Sequence, residues 1–107
     1  MTYRVEVLPR AGRDLRRIYR RIQADYSQQA KDWFNNLEAL IRSLDEQPSR
    51  GAATPERPKL RQVLHGHKPH VYRVIYTIDE QAQLVSVLHI RHGAQGAFTD
   101  LSPTTNG

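Results

Sequence analysis

The stretch VLHIRHG, Val87 to Gly93, closes an apolar run with His89, Arg91 and His92 inside four positions. Imidazole exchanges protons near neutrality, and guanidinium is a permanent, fork-shaped cation suited to phosphate and carboxylate. A strand ending this way could open onto a catalytic site for phosphate chemistry, or it could form a basic rim on which another macromolecule sits. Lys59, Arg61, Lys68 and Arg73 add to the same basic set. Arg73 lies inside the apolar run HVYRVIYTI, where a charge costs free energy unless it is paired or solvated. It is therefore either an ion-pair partner, an Arg whose stem lies over the sheet edge, or an anion-binding group held rigidly by the sheet.

Other chemistries find little support. With no cysteine, the chain has no disulfide framework, thiolate nucleophile or zinc-thiolate site. His65, His67 and His70 cluster on a turn without an adjacent acid, which is weak metal-ligand spacing; no metal and no cofactor is expected. No Gly-rich loop precedes a helix. No arrangement of Ser, His and Asp can be defended from spacing alone. The acids of the second half, Glu56, Asp79, Glu80 and Asp100, fall in loops or the tail, so paired-carboxylate catalysis is poorly supplied.

The elements that must position the basic set follow from periodicity. Tyr3 to Pro9 alternates at period two, a short strand closed by proline. From Arg10, the residues Ala11, Leu15, Ile18, Tyr19, Ile22 and Tyr26 recur at helical steps. Opposite them stand Arg10, Arg13, Arg16, Arg17, Arg20 and Arg21: six arginines and no lysine in twelve residues. That face is either simply solvated or built for phosphate or carboxylate. Ser27 is a plausible N-cap for a second helix carrying Ala30, Trp33, Phe34, Leu37, Leu40, Ile41 and Leu44, ended by Gln47-Pro48. The short link predicts a helical hairpin. Ser49 to Pro58 reads as a loop, Lys59 to His65 as a strand, and Gly66 to Pro69 as a turn. His70 to Ile78 is the strongest strand signal, joined by Asp79 to Gln83 to the strand Leu84 to Arg91. The order is β-α-α-β-β-β, an α+β fold with a helical hairpin packed on a mostly antiparallel sheet.

At 107 residues the chain is expected to form one domain, residues 1–98, with a flexible tail over 99–107. Hydrophobic residues make up 38% and charged residues 25%, ordinary values for a folded domain. The formal charge of +5 favours an acidic partner: nucleic acid, a ribonucleoprotein or an acidic protein. A membrane partner is not expected, since no stretch approaches the length of a spanning helix. The N-terminus has charges where a signal peptide needs an apolar run, so the cytoplasm is the expected compartment.

Four elements in order, DL..I (Asp14, Leu15, Ile18), Leu60-Arg61, YRVIY (Tyr72 to Tyr76) and VLHIRHG, resemble the RelE/ParE superfamily of type II toxin–antitoxin toxins. The resemblance runs from Tyr3 to about Phe98. It implies a small growth-inhibiting toxin of the plasmid-stabilisation kind, encoded beside an antitoxin that wraps it. Two modes are implied by the superfamily: ribosome-dependent mRNA cleavage, or inhibition of DNA gyrase without being an enzyme. A third possibility is a non-toxic binding module on the same fold.

Cleaving RNA through its 2′-hydroxyl needs a base, an acid and cations on the phosphate. By resemblance to ribonuclease members, Lys59 or Arg61 would match the basic residues of the second strand, Arg73 the arginine of the third, and Arg91 that of the fourth. Alignment through the glycine instead puts the last role at Ala94 or Gln95, which cannot fill it. No tyrosine follows Tyr76, Phe98 lies where a catalytic Tyr would stand, and His92 is the remaining acid–base candidate. The LH before a short basic turn is similar to ParE-like members. The chain is thus read as closer to ParE, with Arg91, His89, His92 and Arg73 forming a target-binding rim.

Overall fold

The computed structural model describes residues 2–93. Its elements are β1 (Arg4–Val7), α1 (Pro9–Arg21), α2 (Gln28–Arg42), β2 (Ala52–Ala53), β3 (Arg61–His67), β4 (His70–Asp79) and β5 (Leu84–His92), with short 3-10 turns at Ala24–Tyr26, Ser43–Asp45 and Pro48–Arg50. Two helices pack on a five-stranded sheet of order β1-β5-β4-β3-β2. β1 runs parallel to β5 and the other pairings are antiparallel. The expected α+β order holds with one addition, the two-residue β2 inside the stretch read as loop. The proposed tail, 99–107, and Phe98 lie outside the described residues.

Several boundaries differ from the reading by periodicity. α1 starts at Pro9, whose fixed φ suits a first helical position and whose missing N–H is no loss there. It stops at Arg21 because Gln23 takes the left-handed conformation (φ 57°), which throws Tyr26 out of the apolar stripe; Tyr26 is 87% exposed. Ser27 caps α2 as expected, its hydroxyl accepting from the Ala30 N–H at 3.2 Å. β3 starts at Arg61 rather than Lys59 and continues to His67, which pairs with His70, so the turn is tighter than read.

The helix side of the sheet holds the main core: Ala11, Ile18, Phe34, Leu37, Ile41 and Leu44 from the helical half against Val74, Tyr76, Val85, Val87 and Ile90. Tyr19 and Phe34 meet edge to face at 5.0 Å and join the two helices. The opposite side holds a smaller cluster of Leu60, Ile75 and Leu88 with Leu8. A β-bulge divides the two. Ile75 pairs with His89 but Tyr76 pairs with Val87, leaving Leu88 as the extra residue. The bulge reverses the alternation, so Val85, Val87 and Ile90 all face the helices, while Leu88, His89 and Arg91 face away. Without it His89 would point into the main core.

Candidate functional site

The far end of β5 lies beyond the reach of β1, whose pairing stops at Val7 with Val87. An uncovered strand edge leaves backbone donors unpaired, and α1 supplies the missing acceptor. Asp14 Oδ2 accepts the Ile90 N–H at 3.0 Å and the His89 Nδ1 proton at 2.6 Å. Asp14 and His89 are both buried, and Arg17 reaches the other carboxylate oxygen at 3.2 Å. With its proton on Nδ1, His89 presents the Nε2 lone pair outward, where Arg91 Nη1 lies at 3.3 Å. A line of contact therefore runs from α1 through Asp14 and His89 to the Arg91 guanidinium.

Arg73 stands directly opposite Arg91 across β4 and β5, on the same face. It is occupied in a two-pronged pair with Glu56, at 3.0 and 2.8 Å, and its Nε donates to Gln62 Oε1 at 2.7 Å. Its side chain is 13% exposed and that of Glu56 8%. The loop acid set aside by its position thus folds over the sheet to meet the strand arginine. Burial, reinforced by Arg73 and Arg10 nearby, lowers the pKa of Arg91, while Glu56 and Asp14 partly offset them; a guanidinium stays charged regardless. Arg10, Arg73, Glu56 and Asp14 thus all act on Arg91 at this corner.

His92, one residue on, faces the helices. It meets Tyr72 edge to face at 4.9 Å and His70 at 5.6 Å between ring centroids, with His70 Nδ1 and His92 Nε2 at 3.4 Å. Trp33 meets Tyr72 edge to face at 5.5 Å and His65 at a tilt at 4.6 Å, and His65 Nε2 donates to the Trp33 carbonyl at 3.1 Å. A groove of about 490 Å³ opens beside this cluster, lined by Arg21, Ile22, Ala30, Trp33, His70 and Tyr72 among others.

The structure thus sorts the residues singled out by sequence. Arg73 and Arg91 come together. His92 is on the other face, so it does not share a rim with Arg91. His89, expected on that rim, is instead a buried support under Arg91, because the bulge and Asp14 hold it there. Arg61 gives its guanidinium to the carbonyls of Ser49 (3.0 Å) and Gly51 (2.7 Å). It pairs with Tyr76, four residues along β4 from the partner of His92, about 13 Å away along the strand. Lys59 is exposed at the same distant end. Lys59, Arg61, Arg73 and His92 are therefore not gathered around one point. Among the described residues no three His, Asp or Glu side chains come close enough to hold a metal ion, and no helix is long and apolar enough to cross a membrane.

Spacing alone missed Asp14 and Glu56 as parts of this site. Asp14 carried a signal: with Ala11 and Ile18 it follows the i, i+3, i+7 spacing of a buried stripe, where an acid requires a partner. Glu56 carried none, since its contact depends on how the loop folds.

Comparison with known proteins agrees with this architecture. The family model described as ParE toxin of type II toxin–antitoxin system, parDE, matches residues 5–96. No curated protein matches the chain in sequence. Among solved structures, the chromosomal ParDE toxin–antitoxin system of P. aeruginosa is similar with a TM-score of 0.67 and 17% identity, over 85% of this chain and 96% of that one. The RelBE2 toxin–antitoxin complex of Mycobacterium tuberculosis gives 0.60 and 21% identity, over 89% and 95%. A mutant of the E. coli toxin RelE in the free state gives 0.61 and 14%, over 88% and 86%. At these identities the solved structures share the fold.

Proposed function

Because the chain belongs to the family of ParE toxins of type II toxin–antitoxin systems, we propose that it inhibits DNA gyrase in the cytoplasm through the surface around Arg91. Its antagonist is an antitoxin encoded by an adjacent gene. The observation that carries this reading is the Arg91 guanidinium, held on the Asp14–His89 support beside Arg73. A surface positioned by buried hydrogen bonds is preorganised for a partner and needs no proton transfer. Cleavage of mRNA on the ribosome asks for more: an acid, a base and phosphate-binding cations at one point. Here the acid–base candidate His92 and the cations Lys59, Arg61 and Arg73 are dispersed.

Purified protein assayed with gyrase supercoiling and with translating ribosomes tests the choice. The expected result is loss of supercoiling, with inhibition retained in His92→Gln and lost in Arg91→Glu, which repels an acidic target. Arg91→Gln with an unchanged thermal melt guards against loss of fold. Codon-positioned mRNA cuts that vanish in His92→Gln, with supercoiling untouched, would replace this reading by the ribonuclease one. Normal growth of cells holding high levels of the folded chain without its antitoxin would remove both.

A further inference from the structure

We propose that the outward face of α1 is a binding surface for duplex DNA that grips the phosphate backbone, independently of what the β5 end engages. α1 carries six arginines and one aspartate, and the rest of the chain carries ten basic and ten acidic residues. The entire formal charge of +5 therefore resides on one thirteen-residue helix. Its single acid, Asp14, is buried and turned inward to His89 and Ile90. After Pro9, every exposed residue of α1 is an arginine: Arg13, Arg16, Arg17, Arg20 and Arg21.

Solubility does not account for this face. α2 is solubilised by Lys31, Asp32, Glu38 and Arg42, two of each sign, among glutamines and asparagines. On α1 the arginines stand three and four apart, where like charges repel. A helix needing only water would alternate signs. A protein partner fits less well, because protein hot spots combine arginine with buried aromatic anchors, and this face exposes arginine alone. Phosphate needs only cations, and guanidinium suits it.

Geometry favours the DNA duplex over RNA. At about 100° and 1.5 Å per residue, the six arginines cover an arc of about 140° and about 16 Å of helix axis. An arc that wide reaches phosphates on both sides of a groove. The B-form major groove admits a helix, whereas the narrow A-form one does not. Binding of this kind is insensitive to sequence and falls steeply with salt.

Fluorescence anisotropy of the full chain with a short mixed-sequence DNA duplex, over a series of salt concentrations, tests the proposal. Arg13→Gln, Arg16→Gln and Arg20→Gln combined should weaken binding at least about tenfold at low salt and flatten the slope of log affinity against log salt by roughly 2.7. Glutamine is a good helix former, so the melt of this variant should not fall. The same three positions changed to lysine keep the charge and should keep the slope. Arg4→Gln, Arg42→Gln and Lys68→Gln combined remove equal charge elsewhere and should do much less. Equal losses in the two glutamine triples would overturn the proposal, as would no loss in the first. Duplex RNA bound as tightly as DNA, or binding to an acidic peptide with none to DNA, would overturn it too.

Discussion

Asp14 and His89 are 75 residues apart in the chain and 2.6 Å apart in the fold, both buried, with the Ile90 N–H sharing the same carboxylate oxygen. This contact joins α1 to the end of β5 where the neighbouring strand has stopped. It also sets the base under Arg91.

Removing that carboxylate strands two buried donors. Asp14→Ala should destabilise the protein by about 3 kcal/mol, since an unpaired buried hydrogen-bonding group costs on the order of 1–3 kcal/mol. Asp14→Asn keeps one acceptor oxygen and should lose about half as much. Denaturant melts of both variants measure it; a loss below about 0.5 kcal/mol for alanine would show that the contact contributes little.

The Arg73–Glu56 pair should behave as a buried ion pair. Arg73→Ala or Glu56→Ala alone should cost about 3–5 kcal/mol, because each strands the other's charge, whereas Arg73→Met with Glu56→Leu should recover most of the loss. A double-mutant cycle on melting data gives the coupling. Additive losses would mean that Arg73 is held by something else.

Stability should fall as the pH drops through the histidine range, in part because of His65. Burial against Trp33 lowers its pKa from the usual 6.5, despite the opposing hydrogen bond to the Trp33 carbonyl. The unfolded chain then takes up a proton near 6.5 that the folded chain refuses. The contribution is complete above 6.5 and is lost as the pH falls from there to the lower folded value. His65→Gln does not titrate, so the difference in melting temperature between it and the parent should shrink on acidification through this window. A difference independent of pH would refute the assignment.

Gly51 should resist substitution. Its backbone is extended (φ −72°), so any residue could adopt it, but an added Cβ would run into the Tyr76 hydroxyl and the Gln62 carbonyl oxygen. That hydroxyl accepts the Gly51 N–H at 3.1 Å and donates to the Pro48 carbonyl. Gly51→Ala should cost about 1–3 kcal/mol by overpacking, and Tyr76→Phe a similar amount by unpairing buried backbone groups. Smaller losses when Gly51→Ala is made in the Tyr76→Phe background, read from melts, would confirm that the two meet.

The main elements were legible in the sequence, because apolar periodicity is a local property and changes from two to 3.6 where the strand gives way to the helix. The Ser27 cap, the arginine face and the apolar β4 and β5 could all be read from neighbouring residues. The grouping of functional side chains could not, because it depends on register. One extra residue at Leu88 decides which face His89 and Arg91 occupy. The same register sends His92 the other way, to Tyr72. The early end of β1 leaves the Ile90 N–H without a strand acceptor on that side and makes room for Asp14. Glu56 meets Arg73 only because the loop after β2 folds over the sheet. Residue type determined what chemistry each side chain could do. Only long-range pairing, to which local periodicity is blind, decided which of them stand together.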